Sequence, residues 1–169
     1  MWVDIDSRLF NPIKANRVYN DHLDLLEFAE DVGYDGLGIH EHHQNAYGLM
    51  PLPQLMATTL SRRTHRVAIL LLGQSLALYD APTRVAEAMA MIDCMSAGRL
   101  ISGFPVGSSM DDNYARGVNP ATLREQYHEA HDLIRRAWSD LDVFAWNGKH
   151  YKLRYVNQWP RPIQNPPPI

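Results

Sequence analysis

His40-Glu41-His42-His43 places three imidazoles and a carboxylate on four consecutive residues. An imidazole exchanges protons near neutrality and also donates hydrogen bonds or ligates metals. Where such a run leaves a strand, alternation sends His40 and His42 to one face and Glu41 and His43 to the other, so only one pair can look into a site. Three chemistries stay open. One is acid/base or hydrogen-bond work beside a substrate, the second is metal binding by His40 and His42 as a His-x-His pair, and the third is a set of structural histidines bonded to rim carbonyls. Two further stretches have the same character. At Gly73-Gln74-Ser75 a glycine interrupts an apolar run, which permits close approach of a flat ligand or an unusual peptide conformation, an ordinary strand exit being the plain alternative. Phe104-Pro105-Val106-Gly107-Ser108 ends in a short Gly/Ser loop of the kind that offers amides to a phosphate, a common pattern and a weak one. His128 and His131 lie one turn apart on a helical pattern and read as a solvated face.

The elements that must carry these stretches alternate. From Asn20, Leu25, Leu26, Ala29 and Val32 recur at helical spacing and Gly33 supplies a stop. A glycine-bounded strand is predicted over Asp35 to His40, a helix over Pro53 to Arg63, and a strand over Val67 to Leu72, an apolar run of the kind parallel strands show when both faces are covered. Pro82 opens a third helix with Val85, Ala88/Met89, Ile92 and Met95 inward, closed by Gly98. Leu100 to Phe104 is a third strand, and after a polar loop Asn119-Pro120 caps a helix burying Leu123, Tyr127, Ala130, Ile134, Ala137 and Trp138. This β-α-β-α-β-α order predicts a parallel sheet, whose carboxyl ends are where functional groups gather. Val143 to Val156 around Asn147-Gly148 predicts a hairpin, and the proline-rich stretch from Trp159 to Pro168 an extended connector without hydrogen bonding of its own.

The 169 residues, 46% hydrophobic and 21% charged with a net charge of −3, fit one soluble globular domain. Interspersed charges leave no basic stripe for nucleic acid. Cys94, the single cysteine, makes neither a disulfide nor a zinc cluster and is expected to be a buried, inert thiol. The chain opens on no charged-then-apolar leader, and Val67 to Leu72 is too short to span a bilayer, so a cytoplasmic protein with no membrane partner is expected.

Three motifs at matching spacings, Glu41-His42-His43-Gln44-Asn45-Ala46-Tyr47-Gly48, Ala81-Pro82-Thr83-Arg84-Val85-Ala86-Glu87 and Ser96-Ala97-Gly98-Arg99-Leu100, resemble the bacterial luciferase-like flavin monooxygenases. The resemblance runs from Trp2 to Ile169. It implies a TIM-type (β/α)₈ barrel with insertions. It also implies use of reduced FMN, usually supplied by a partner reductase, to activate O₂ as a flavin hydroperoxide and oxidise a small organic substrate; some relatives use a deazaflavin instead. Carried over, His42 matches the active-site histidine beside the isoalloxazine, with His43 in support and Glu41 grouped with the cofactor-binding residues. Gly73 and Gln74, with Ser75 after them, resemble the third-strand bulge, in places a non-proline cis peptide, against which the flavin rests. Phe104, Pro105, Val106 and Gly107 would border the flavin from the fourth strand.

The chain departs from this pattern twice. Family members commonly carry an arginine at the position of Val106, reaching the FMN phosphate, and an apolar group cannot pair with a dianion. A complete barrel takes about 250 residues, so residues 1–169 are expected to form a single partial-barrel domain with strands two to four and without the first strand and strands five to eight. Three strands that cannot close leave two edges and an unpacked inward face. That predicts poor FMN binding, no turnover by the isolated chain, and association as an oligomer or with a barrel-completing partner. A deazaflavin-dependent oxidoreductase, a metal-dependent hydrolase using His40 and His42, and a non-catalytic subunit are the other readings.

Overall fold

Asn11 starts the first helix by accepting hydrogen bonds from the Ile13 and Lys14 amides through Oδ1, both at 3.0 Å, and Pro12 pre-sets the first helical φ. The computed structural model describes residues 7–46, 48–107 and 109–169, apart from the side chain of Asp111. Helix α1 (Pro12–Asp31) is longer than its apolar periodicity predicts, because the cap, not a buried stripe, fixes its start. The stripe itself is only partly inward. Leu26 and Ala29 pack on the core beside Tyr19 and Leu23, whereas Leu25 and Val32 are exposed.

Strands β1 (Gly36–Ile39), β2 (Ala68–Leu72) and β3 (Leu100–Gly103) form a parallel sheet in that order, with Leu37 opposite Ile69 and Ile69 opposite Leu100. Helices α2 (Pro53–Arg63) and α3 (Pro82–Met95) cross over between them, each opening on proline. With α5 (Leu123–Ser139) against α3, they cover the face formed by Leu37, Ile39, Ile69, Leu71 and Leu100, all buried. The alternate positions Gly36, Gly38, Ala68, Leu70 and Ile101 lie on the other face and are half-buried or exposed, and Leu72 is 57% exposed. The run from Val67 to Leu72 therefore has one covered face, not two. Its second row has the composition of a barrel lumen, and a lumen is filled only by strands from around the ring.

Three elements differ from expectation in their limits. A short helix, α4 (Met110–Ala115), lies within the predicted polar loop, too brief to leave a periodic trace. Asn119 closes a turn through the Ala121 amide instead of capping α5, which starts at Leu123 and buries Leu133 as well as the expected positions, Tyr127 being half-buried. The hairpin β4 (Phe144–Asn147) and β5 (Lys152–Val156) is antiparallel as predicted, but a four-residue loop separates the paired Asn147 and Lys152. That loop is shaped by Glu129 of α5, whose carboxylate accepts from the His150 and Tyr151 amides, both at 2.9 Å, and from the Trp146 indole at 3.1 Å.

The proline-rich tail, expected as an extended connector without hydrogen bonding of its own, is tied down. Gln164 donates through its amide and side chain to Asp93, a carboxylate buried in α3, and to the Leu100 carbonyl. The Ser102 amide, on the outer edge of β3, donates to the Pro168 carbonyl at 2.7 Å. Cys94 is exposed rather than buried, its Sγ donating to the Arg161 carbonyl at 3.1 Å. None of the described helices is long and apolar enough to cross a membrane.

At the amino ends of the strands the Ser96–Arg99 motif has a structural task. Ala97 and Gly98 turn the chain with positive φ. The Arg99 guanidinium then donates to the carbonyls of Ser61, Thr64, Val67 and Ser96 and to Thr64 Oγ1, all at 2.9 to 3.0 Å. Glu30 secures the same loop from α1, accepting the His65, Arg66 and Val67 amides at 2.7 to 2.8 Å. Desolvation opposes ionisation of Glu30, but those three amides and the Arg66 charge outweigh it and lower the carboxyl to about 2.

Two outcomes follow. Arg99→Met strands several carbonyls and should lower the unfolding free energy by about 2 to 3 kcal/mol in urea titration. Because the folded Glu30 pKa is depressed, its contribution is present above about pH 4.5 and is lost as the pH falls towards about 2. Over that window the wild type should lose more stability than Glu30→Gln, measured by thermal unfolding at each pH.

Candidate active site at the strand tips

The three tips meet because glycines allow it. Gly73 has φ +152°, and a Cβ there would stand 2.4 Å from the Glu41 amide nitrogen and 2.9 Å from the His40 carbonyl carbon. Gly107, at φ +78°, comes close to Ser75, whose Oγ would be 2.9 Å from an added Cβ. The ends of β1, β2 and β3 thus lie side by side, as a site at the carboxyl edge requires. Both peptide bonds of Gly73 are trans; among the described residues the cis bonds are Trp159–Pro160 and Asn165–Pro166.

Past Ile39 the alternation continues into the loop. Glu41 and His43 turn to the buried side, whereas His40 is exposed and His42 half-buried on the other. The His40 and His42 rings stand 5.2 Å apart, tilted by 56°. His40 Nε2 presses on the Gly48 backbone, where a Cβ would be 2.2 Å away. Desolvation there, with the nearby His42 and His22 adding to it, holds the His40 imidazole below its ordinary pKa. A cavity of about 370 Å³ opens beside it, walled by Met50 and by Val18, Tyr19 and His22 of α1. Among the described residues no group of three His, Cys, Asp or Glu side chains is placed to hold a metal ion.

On the buried side, Glu41 accepts from His43 Nε2 at 2.6 Å, from the Tyr79 hydroxyl at 2.6 Å and from the Ser75 amide at 3.1 Å. His43 Nδ1 lies 3.2 Å from Arg116 Nη2, and the His43 amide donates to Asp112 at 3.1 Å. Burial, followed by the Glu41 charge, keeps the Tyr79 phenol well above its usual pKa.

The predicted site residues therefore separate. Gly73 lies against the His40–Glu41 backbone and Gly107 against Ser75, so these residues, with Pro105 and Val106 leading into Gly107, lie at the strand tips. The side chains of Glu41, His43 and Gln74 are buried in the network, Gln74 Nε2 donating to the Tyr79 hydroxyl at 2.9 Å. Phe104 stacks on Trp138 at 6.2 Å in the core, which leaves only its backbone at the rim. Sequence reading misses Tyr79, Asp112 and Arg116, which sit at the end of a 3₁₀ turn and in or next to α4, where no periodicity marks them. His131 is half-buried between Phe104 and Tyr127, while His128 is exposed as expected.

A parallel sheet with helices on one face, a lumen-like row on the other and its polar residues at the carboxyl tips is an arc of a (β/α)₈ barrel. The family described as luciferase-like monooxygenase matches residues 5–169, and the chain belongs to that family. It is 30% identical to limonene 1,2-monooxygenase of Rhodococcus erythropolis over 122 residues, 72% of this chain and 31% of that protein. It is 31% identical to an F420-dependent glucose-6-phosphate dehydrogenase of Kineococcus radiotolerans over 150 residues, 83% of this chain and 43% of that one. The solved monooxygenase RslO1 from Streptomyces bottropensis superposes with TM-score 0.82 at 27% identity over 89% of this chain and 45% of its own. The oxygenating constituent of 3,6-diketocamphane monooxygenase of Pseudomonas putida, solved with FMN, gives TM-score 0.81 at 18% identity over 91% of this chain and 45% of its own, a likeness of fold. The chain spans under half the length of each of these proteins.

Gly73→Ala forces a side chain into the Glu41 backbone at a φ that L residues avoid. It should destabilise the chain by about 1 to 3 kcal/mol in denaturant unfolding.

Proposed function

We propose that this chain is part of a flavin-dependent monooxygenase that uses reduced FMN and O₂ to oxidise a small organic substrate. The observation that carries the reading is His42, half-buried on the lumen-like face where three strand tips meet, with its two neighbours turned away into a buried network. The surface beside it suits a planar ring. Gly38, on the same face of β1, adds no side chain to that row, and a Cβ there would meet nothing within 4 Å. In the proposed complex, the backbones of Gly73, Ser75, Pro105 and Gly107 would border the flavin, and His42 would hold or deliver a proton at its reactive edge through an imidazole nitrogen. Bound reduced FMN would supply the electrons that activate O₂. Val106 offers the phosphate no charge, so cations from elsewhere in a complete barrel would have to supply it.

The likeness to an F420-dependent dehydrogenase supports a second reading, in which the same tips hold a deazaflavin. Under either reading the lumen-like face requires the remaining strands, whether from a longer chain, a second copy or a complementary subunit. A reductase would deliver reduced flavin, and a reducing cytoplasm suits a chain with an exposed thiol. Anaerobic titration with reduced FMN and with reduced deazaflavin, followed by two-dimensional NMR, tests the proposal. Weak binding is expected, stronger for FMN, with shifts centred on His42 and Gly73 and lost in His42→Ala. A preference for the deazaflavin would favour the second reading, and shifts that ignore the strand tips would contradict both.

A further inference from the structure

We propose that Tyr79, Glu41, His43 and Arg116 form a latch that sets the position of His42 and pins the segment after β3 beside the strand tips, acting as positioning residues rather than catalytic ones. The effect on His42 rests on the flavin reading given above; the latch itself needs no flavin. Glu41 is its centre. Its side chain is 1% exposed, and a buried carboxylate is tolerated only when donors surround it. Those donors come from three places in the chain: His43 on its own loop, the Ser75 amide at the tip of β2, and Tyr79, which caps the 3₁₀ turn Leu76–Leu78 that follows.

The hydrogen-bond directions are fixed by what each group can do. Tyr79 accepts from Gln74 Nε2, which leaves its own proton for Glu41. A guanidinium has no acceptor, so facing Arg116 the Nδ1 atom of His43 must accept, and the ring proton stands on Nε2, directed at Glu41. Gln74, Tyr79, Glu41, His43 and Arg116 thus form one chain of five side chains.

The far end of that chain holds α4. This helix has six residues, too few to persist without tertiary contacts. Asp112 and Arg116 join it to the β1 loop: Asp112 accepts the His43 amide, and Arg116, its C-cap, reaches the His43 ring. The His42 amide in turn donates to the Met50 carbonyl at 3.0 Å. The backbone from Glu41 to His43 is thereby fixed on both sides, and within it only the His42 side chain is directed at the open face.

The test uses the 169-residue chain without ligand, labelled with ¹⁵N in histidine and, separately, uniformly. Long-range ¹H–¹⁵N spectra should show His43 as the Nε2–H tautomer. Arg116→Met should admit the Nδ1–H form, and Arg116→Lys, which keeps a donor, should restore the original spectrum; Arg116 is exposed, so both variants spare the core. Tyr79→Phe removes one hydroxyl and should speed amide exchange at Ser75 and Arg116 by about tenfold, the equivalent of one lost hydrogen bond. An Nδ1–H tautomer in the wild type, or spectra and exchange unchanged in Arg116→Met and Tyr79→Phe, would overturn the latch. The same variants should weaken the flavin-induced shift at His42 several-fold. If the tautomer and exchange results hold while no flavin shift occurs in the wild type, the flavin reading fails and the latch stands.

Discussion

Glu41 is a carboxylate placed where three loops converge and almost no water reaches, and the arrangement of the strand tips follows from keeping it satisfied. Moving an isolated carboxylate to such a place costs several kcal/mol, so each of its donors is held in place by the need for it. One donor is a main-chain amide of the β2 tip, the second a phenol brought up by a 3₁₀ turn, and the third an imidazole two residues along its own loop. Gly73 makes this possible by letting the β2 tip approach the Glu41 backbone more closely than any side chain would permit. His42 inherits its position from these constraints: with both sequence neighbours facing inward, it faces out.

The two ends of the sheet divide the labour. At the amino end, Arg99 and Glu30 bind the same loop from opposite sides with ordinary main-chain partners, an arrangement suited to stability. The carboxyl end concentrates histidines, a buried charge and tight glycines, which suits chemistry and is the usual division in barrels. The motifs that carry the family resemblance thus have different physical meanings. Glu41-His42-His43 lies at the carboxyl tips of the strands, whereas Ser96-Ala97-Gly98-Arg99 closes the opposite end of the sheet.

Much of the fold is legible in the residues. Pro53 and Pro82 mark the starts of α2 and α3, Gly98 their approach to β3, and the alternation through His40 to His43 carries correctly beyond the strand into the loop. The illegible part lies where contacts join residues far apart in sequence. Nothing near Tyr79 or Arg116 announces a partner about 40 or 70 positions away, yet both end on the Glu41–His43 pair. Likewise Asp93 sits in an apolar helical pattern, and only the returning tail, through Gln164, gives its buried carboxylate a reason. Glu41, His43 and Gln74 stand at strand ends, as their place in the alternation predicts; that their side chains are buried depends on the covering elements, which leave no local trace.

The central claim is that His42 and His43, adjacent in sequence, live on opposite sides of the strand tips. Diethyl pyrocarbonate labelling of the native chain, read residue by residue by mass spectrometry, measures it directly. His42 should be modified at a rate near that of an accessible imidazole, while His43, enclosed between Glu41 and Arg116, should stay unmodified until the chain unfolds. Equal rates at the two residues, or faster labelling of His43, would contradict the account.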